Sequence, residues 1–561
     1  MHKTLQMAYP KIPLAQSIIQ IFLAKGVTDI VISPGSRNAP LTIGFAGHPK
    51  FNCYSIADER CAAFFAMGIA QQSGRPVAVL CTSGSAVLNF YPAVAEAFYS
   101  QIPLVVVSAD RPPEKIDIGD GQTIRQENVF LNHSLYNANL TPIASASNDL
   151  EINTALNMAH TRRGPVHINV PFEEPLYETV KKFTVDVTLT PYARINRSLS
   201  VDDIKASTNI WNAATRKLVL IGSLEPESIE PEILEKLAAD ASIVVMTEST
   251  SNVYHRSFIS QIDRVITPFT VDDYLRMQPE ILLTVGGMIV SKRIKTFLRR
   301  FRPEHHWHVD PLRAYNTYGA LTHHFEVQPN DFFEQFLPFT LLVSSDYARE
   351  TQSIIAARQQ KHDAFMANVP YSDFKVFSRL IPHLSGFDVQ VSNSAAIRYM
   401  QLFNLPAGLN VFCNRGTSGI DGSTSTAIGA AVGSGRPTVL VTGDIGFFYD
   451  SNALWNQYIP KDFKIVLINN GGGGIFRILP GHMETPLFHT FFDTEHNLNA
   501  SHLAAMYGFG YHSASDDRQL TQKLSKFFAE KGRAILEIFT PTRINDQILQ
   551  DYFAFLADDK K

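Results

Sequence analysis

An internal repeat constrains this chain more than any other feature. Ala66-Met-Gly-Ile-Ala-Gln-Gln-Ser-Gly-Arg-Pro76 and Ala427-Ile-Gly-Ala-Ala-Val-Gly-Ser-Gly-Arg-Pro437 agree at seven of eleven positions. Each copy runs straight into an apolar segment, Val77-Ala78-Val79-Leu80-Cys81 in the first and Thr438-Val439-Leu440-Val441-Thr442 in the second. Continuously apolar runs of this length fit strands buried on both faces of a parallel sheet. A stretch with helical spacing follows each strand, residues 86–99 and 452–458, and then another strand, Leu104-Val105-Val106-Val107 and Lys464-Ile465-Val466-Leu467-Ile468. Strand, helix, strand is a βαβ unit, and its recurrence predicts a duplicated doubly wound α/β domain.

Between the copies lies a third region that opens after a polar stretch at residues 191–203. Its apolar runs Leu218-Val219-Leu220-Ile221-Gly222, Ser242-Ile243-Val244-Val245-Met246 and Ile281-Leu282-Leu283-Thr284-Val285-Gly286 again read as buried parallel strands. A polar helical segment near residues 344–366 links it to the second copy. The expected fold class is α/β, with three doubly wound parallel-sheet domains at 1–188, 189–350 and 351–561, the first and third related.

Composition narrows the function. With 561 residues and 45% apolar side chains the chain can bury several cores. Lys plus Arg is 49 against 53 acidic residues, a net charge of −4. That balance argues against a nucleic-acid partner held by bulk charge. The four cysteines form no CxxC pair and no Cys/His metal spacing, which speaks against a disulfide framework and a zinc site. The N-terminal residues lack the apolar core of a secretion signal. No apolar run is long enough for a membrane span, so the expectation is a cytoplasmic protein. Walker A, HExxH and a GxGxxG following a strand are all missing, which removes the commonest nucleotide and zinc motifs.

The strongest chemical signal is Gly443-Asp444, then 25 residues, then Asn470 within Asn469-Asn470-Gly471-Gly472-Gly473-Gly474. Asp444 and Asn470 end successive strands of one βαβ unit, and ligands bind at the carboxyl ends of such strands. A carboxylate, an amide oxygen and a free carbonyl are hard oxygen ligands for Mg²⁺. The glycine run, Gly473 included, lets the backbone approach a phosphate. Ordinary β-to-α loops also use Asp and Asn, so these residues alone leave both readings open.

This spacing resembles the metal-diphosphate motif of thiamine diphosphate enzymes, with Ile445 where the general pattern has glycine. The resemblance implies that Asp444, Asn470 and the Gly472 carbonyl hold the metal, Mg²⁺ or Mn²⁺. It also implies a glutamate from the related domain. Glu59, in Ala57-Asp58-Glu59-Arg60 before a helix of small residues, has that context. Further segments extend the resemblance along nearly the whole chain. They are Ser33-Pro34-Gly35-Ser36-Arg37-Asn38-Ala39-Pro40-Leu41-Thr42, Thr82-Ser83-Gly84-Ser85-Ala86, Ser108-Ala109-Asp110-Arg111-Pro112-Pro113, Asn414-Arg415-Gly416-Thr417-Ser418-Gly419-Ile420-Asp421-Gly422 and Gly473-Gly474-Ile475-Phe476. Together they are similar to the menaquinone-pathway branch of that family, which joins 2-oxoglutarate to isochorismate with loss of CO₂.

By that resemblance Ser36, Arg37, Arg111, Gln122, Lys292, Arg293, Ser394, Arg398 and Arg415 bind substrate. Arginine forks suit the two carboxylates that each substrate carries. Ser394 and Arg398 stand four apart and can share a helix face. Ile475, Phe476 and Leu479 would form an apolar wall, and Ile420 would hold the cofactor bent. Glu59 would be the catalytic carboxyl, against the aminopyrimidine ring. The family builds its site between subunits, so a homodimer or homotetramer is implied. A simple 2-oxo acid decarboxylase is the nearest rival. The set of carboxylate-binding arginines counts against it.

Overall fold

The computed structural model describes residues 8–192, 198–478 and 485–558. Three wholly parallel sheets carry the chain. In the first, strands β1 (Asp29–Ile32), β2 (Asn52–Ser55), β3 (Val77–Cys81), β4 (Leu104–Asp110), β5 (Tyr136–Asn139) and β6 (Val166–Pro171) lie in the order β2-β1-β3-β4-β6-β5. Helix α1 (Glu59–Ser73) precedes β3, and α2 (Tyr91–Ser100) precedes β4.

The middle sheet holds β7 (Lys217–Ile221), β8 (Ile243–Thr247), β9 (Ile281–Val285), β10 (His305–Val309) and β11 (Leu321–Phe325), ordered β8-β7-β9-β10-β11. Helix α3 (Lys292–Arg300) follows β9.

In the last sheet β12 (Asp388–Val391), β13 (Asn410–Phe412), β14 (Thr438–Gly443), β15 (Lys464–Asn469), β16 (Gly510–Ala514) and β17 (Ala534–Phe539) lie in the order β13-β12-β14-β15-β17-β16. Helix α4 (Ala395–Met400) follows β12, α5 (Ser423–Ser434) precedes β14, and α6 (Asp444–Tyr449) follows it. Counted from their own first strands, the first and last sheets share one order, 2-1-3-4-6-5. The duplication expected from the repeat is therefore present in the topology.

The repeat itself forms the seam between the two copies. Helices α1 and α5 cross so closely that a Cβ on Gly68 would stand 2.2 Å from the Thr426 carbonyl oxygen, and one on Gly429 would stand 2.0 Å from the Phe65 oxygen. Only glycine allows backbones to approach this far. The shared Ser-Gly-Arg-Pro ends both helices in one way. Gly74 and Gly435 both sit at φ +64° as C-caps, a left-handed conformation that glycine adopts without strain. The Ser73 and Ser434 hydroxyls accept from the Arg75 and Arg436 amides, at 3.3 and 3.2 Å.

Two expected helices differ. Residues 86–99 begin as a 3₁₀ turn, Ser85–Phe90, and become α-helical only at Tyr91, next to Pro92. Proline lacks an N–H and is best placed in a helix's first turn. The helix expected over 452–458 is absent. The helical segment is α6, upstream, and 451–454 form a single 3₁₀ turn. Asn456 explains the stop, because its side chain donates to the Ala453 carbonyl and accepts from the Tyr458 amide. Such local bonds compete with helix. Among the described residues no helix is long and apolar enough to cross a membrane.

Candidate active site

The carboxyl edge of the last sheet gathers the diphosphate motif. Asp444, 3% exposed, opens α6 directly after β14. Its Oδ1 accepts from the Ile445 amide at 2.7 Å, and its Oδ2 accepts from the Gly471 and Gly472 amides at 2.8 and 3.1 Å. Asn470 Nδ2 donates to Asp373 Oδ2 at 3.0 Å, which leaves the amide oxygen on the other branch for a ligand. A Cβ on Gly472 would meet the Asp493 oxygen at 2.7 Å, so the loop is built for glycine. The Gly473 amide donates to that same oxygen at 2.5 Å. Ile420 lies over the start of α6, 3.9 Å from where a Gly446 Cβ would be.

This donor set fits a divalent cation. Asp444 is buried, and among the described residues no lysine or arginine pairs with it. His496 Nε2 stands 3.4 Å from Asp444 Oδ2. Contact with Asp444 raises the His496 pKa against the opposing effect of burial. A buried carboxylate beside an amide oxygen and a glycine carbonyl is the hard-oxygen chemistry that Mg²⁺ takes.

Glu59 begins α1. Asp58 caps that helix by accepting from the Cys61 amide at 3.1 Å. Burial raises the Glu59 carboxyl above its ordinary value, its own amide opposes the shift, and the Asp58 charge adds to it. Glu59 is half-buried. Among the described residues no hydrogen bond or ion pair joins it to Asp444, Asn470 or the glycine run.

The substrate candidates fall into two groups. The first lies at the ends of β1 and β4. Arg37, 3% exposed, donates from Nη1 to the Phe172 carbonyl at 3.0 Å, and its Nη2 stands 3.4 Å from Glu174 Oε1. Burial, then the charge of Arg111, lowers its pKa. Arg111 donates from Nη2 to the Gly121 carbonyl at 3.3 Å. The Nε atoms of both arginines are buried without a partner. Two adjacent guanidiniums with unused donors suit an anion. Ser36 is exposed beside them, and the Gln122 backbone runs 3.3 Å from where a Gly84 Cβ would be.

The second group spans the middle and last sheets. Lys292 and Arg293 open α3, exposed, with the Arg293 guanidinium 4.9 Å over the Phe553 ring. Arg398 Nη1 donates to the Ser394 carbonyl at 2.5 Å, so the spacing of four does place the pair together. The serine contact is through its backbone oxygen. Arg415 Nη1 donates to Asn393 Oδ1 at 2.6 Å. Burial, then the charge of Arg415, lowers the pKa of both Arg398 and Lys295. The Ser392 hydroxyl accepts from the Gly443 amide at 3.4 Å, which ties the end of β12 to the residue before Asp444. Ile475 is partly buried, Phe476 packs on Phe492 with ring centroids 6.1 Å apart, and Leu479 lies outside the described residues.

Comparison with known proteins decides what this arrangement is. The N-terminal TPP binding domain of thiamine pyrophosphate enzymes matches residues 12–131, their middle domain 188–364, and their C-terminal TPP binding domain 393–538. The chain is 60% identical over 552 residues to the 2-succinyl-5-enolpyruvyl-6-hydroxy-3-cyclohexene-1-carboxylate (SEPHCHC) synthase of Flavobacterium psychrophilum, covering 98% of this chain and 100% of that protein. The chain belongs to the SEPHCHC synthase family. The synthase of Flavobacterium johnsoniae is also 60% identical, over 98% of this chain and 100% of its own, and that of Porphyromonas gingivalis is 38% identical over 97% of each.

For a SEPHCHC synthase several supporting residues escaped the sequence. Asp373 orients Asn470, and burial pushes its carboxyl up to about 6 against hydrogen bonds from Thr540 and Asn470. Glu248 accepts from the Val290 and Ser291 amides at 2.6 and 2.7 Å, just ahead of Lys292. Burial pushes it up to about 7 against those two amides. Asp263 accepts from the Ser291 hydroxyl and faces Arg293, Arg398 and Lys295. None of these carries a spacing signal, because each acts across elements distant in sequence.

Proposed function

We propose that this chain removes CO₂ from 2-oxoglutarate and joins the remaining four-carbon unit to isochorismate in a 1,4-sense, the SEPHCHC synthase step of menaquinone biosynthesis. The observation that supports it best is the basic group Arg293, Lys295, Arg398 and Arg415, gathered from the middle and last domains. Several clustered guanidiniums, together with the metal-diphosphate motif of the last domain, suit dicarboxylate substrates on a phosphorylated cofactor.

Thiamine diphosphate, when bound, supplies the electron sink that lets CO₂ leave. Asp444, Asn470 and the Gly472 carbonyl would hold Mg²⁺ or Mn²⁺, and the side-chain-free glycine run 471–474 lets the backbone come close to the diphosphate. Ile420 would pack against the cofactor. Glu59, its pKa raised by burial, holds a proton on its carboxyl more readily than an exposed glutamate. That suits it to share a proton with a ring nitrogen. Arg37 and Arg111 bind one carboxylate end, with Ser36 and Gln122 beside them. Lys292, Arg293, Ser394, Arg398 and Arg415 bind another, and Ile475 and Phe476 exclude water.

The two groups come from different sheets, and among the described residues no hydrogen bond or ion pair joins Glu59 to the diphosphate loop. Both facts support a homodimer or homotetramer whose site lies between subunits. The test is CO₂ release from 2-oxoglutarate with thiamine diphosphate and Mg²⁺, with and without isochorismate. Fast release that needs isochorismate, with its absorbance falling in step, supports the synthase. Equal release without it makes the protein a plain decarboxylase.

A further inference from the structure

Glu96 lies inside α2, on the first sheet's side of the molecule, and is only 1% exposed. A glutamate so buried within a helix is unusual unless its carboxylate is fully used. Here it is. Oε1 accepts from the Gly416 amide at 2.7 Å and from the Ser100 hydroxyl at 2.7 Å. Oε2 accepts from the Thr417 amide at 2.6 Å and the Thr417 hydroxyl at 2.8 Å. Three of the four donors belong to the loop directly after Arg415, in the other copy of the repeat. The loop sits so close to α2 that a Cβ on Gly416 would stand 2.5 Å from the Glu96 carbonyl oxygen.

A second clamp acts from the loop's own side. Asn393 Nδ2 donates to the Asn414 and Gly419 carbonyls at 2.7 and 2.8 Å, while its Oδ1 takes Arg415 Nη1. The Arg415 head is thus oriented by Asn393 and its backbone by Glu96. Arg415 Nε stays buried without a partner. Arg415 lines a cavity of about 590 Å³ between the three sheets, whose wall includes Tyr99, Ser100 and Gln101 at the end of α2.

We infer that Glu96 is a positioning residue for substrate binding, a carboxylate of the first α/β copy that fixes where Arg415 of the other copy presents its guanidinium to substrate. The inference rests on the reading of Arg415 as a substrate ligand. A guanidinium binds a carboxylate through a fixed fork geometry, so a shifted Arg415 should show in one substrate's KM rather than in turnover.

The experiment measures KM for 2-oxoglutarate and for isochorismate, with kcat, on the holoenzyme. Arg415→Ala identifies the substrate that Arg415 binds by which KM rises. Glu96→Gln keeps shape but replaces one acceptor with a donor facing amides. It should raise that same KM roughly threefold to tenfold, the scale of one or two lost hydrogen bonds. The other KM and kcat should stay within about twofold, and the effect should vanish on the Arg415→Ala background. Should Glu96→Gln fail to fold, Thr417→Val removes one donor and should shift the same KM by about twofold to threefold. Equal rises in both KM values, or additivity in the double variant, would overturn the positioning role. If Arg415→Ala moves neither KM, the reading of Arg415 falls and the inference falls with it.

Discussion

The first and last sheets share strand order, helix crossing and helix caps, yet their carboxyl edges differ completely. The first places a raised glutamate at the start of α1 and two adjacent guanidiniums at the ends of β1 and β4. The last places a carboxylate, an amide and a glycine loop at the ends of β14 and β15. The shared residues hold the two copies together, as Gly68 and Gly429 do, or end the crossing helices, as Gly74 and Gly435 do. Chemistry diverged at the loops while the seam was kept. In a doubly wound sheet the strand ends can change without disturbing the core.

The largest expected effect separates the two edges by function. Glu59→Gln keeps the shape of the side chain and leaves the Asp58 cap in place, so the fold should survive. Turnover should fall by about 10²–10⁴, the range of general acid–base catalysis. Steady-state rates and a thermal melt on the same sample check both halves. Normal turnover would remove Glu59 from catalysis. Next comes Asp444→Ala at the opposite edge. It should raise the Mg²⁺ concentration needed for half-maximal activity by more than about tenfold, since even outer-shell changes reach that scale. An unchanged metal titration would take Asp444 out of the ligand set.

Strands were legible because burial on both faces leaves a continuous apolar run. Val77–Cys81 and Thr438–Gly443 were found to within one residue for that reason. Asp444 and Asn470 were legible because both end strands of one βαβ unit. The helix expected over 452–458 failed because Asn456 bonds its own backbone, and apolar spacing carries no record of that. Asp373, Glu96 and Glu248 were invisible for a different reason. Their partners lie far away in sequence, and a single buried carboxylate looks like any surface acid until the chain is folded.

The seam should tolerate little change from either side. Gly429→Ala would set a Cβ against the Phe65 oxygen, and Gly68→Ala would set one against the Thr426 oxygen. Each should destabilise by about 1–3 kcal/mol, the usual cost of overpacking, and lower the melting temperature by several degrees. Because both act on one crossing, the double variant should lose less than the sum. A large loss from one and none from the other would show that the crossing is not symmetric.

A pH signature tells the two helix starts apart. Asp58 holds the start of α1, and Asp450 holds the start of α5 by accepting from the Ser425 amide at 2.7 Å. Burial pushes Asp450 up to about 7, against the opposing Ser425 hydrogen bonds and the Arg60 charge. For Asp58 burial also acts upward, but the hydrogen bonds from Asn452 and Cys61 and the Arg60 charge outweigh it, leaving the carboxyl below its ordinary value. The two therefore contribute opposite slopes. Asp450 binds a proton more tightly folded than unfolded, so its contribution is full below about pH 4 and is lost as pH rises through about 7. Asp58 contributes above about pH 4 and loses that contribution as pH falls through its lowered value. Melting temperatures measured across pH should show Asp450→Asn flattening the decline between about pH 4 and 7. Asp58→Asn should leave that window alone and flatten the acid limb. If both variants flatten the same window, the difference in burial between the two helix starts does not govern their protonation.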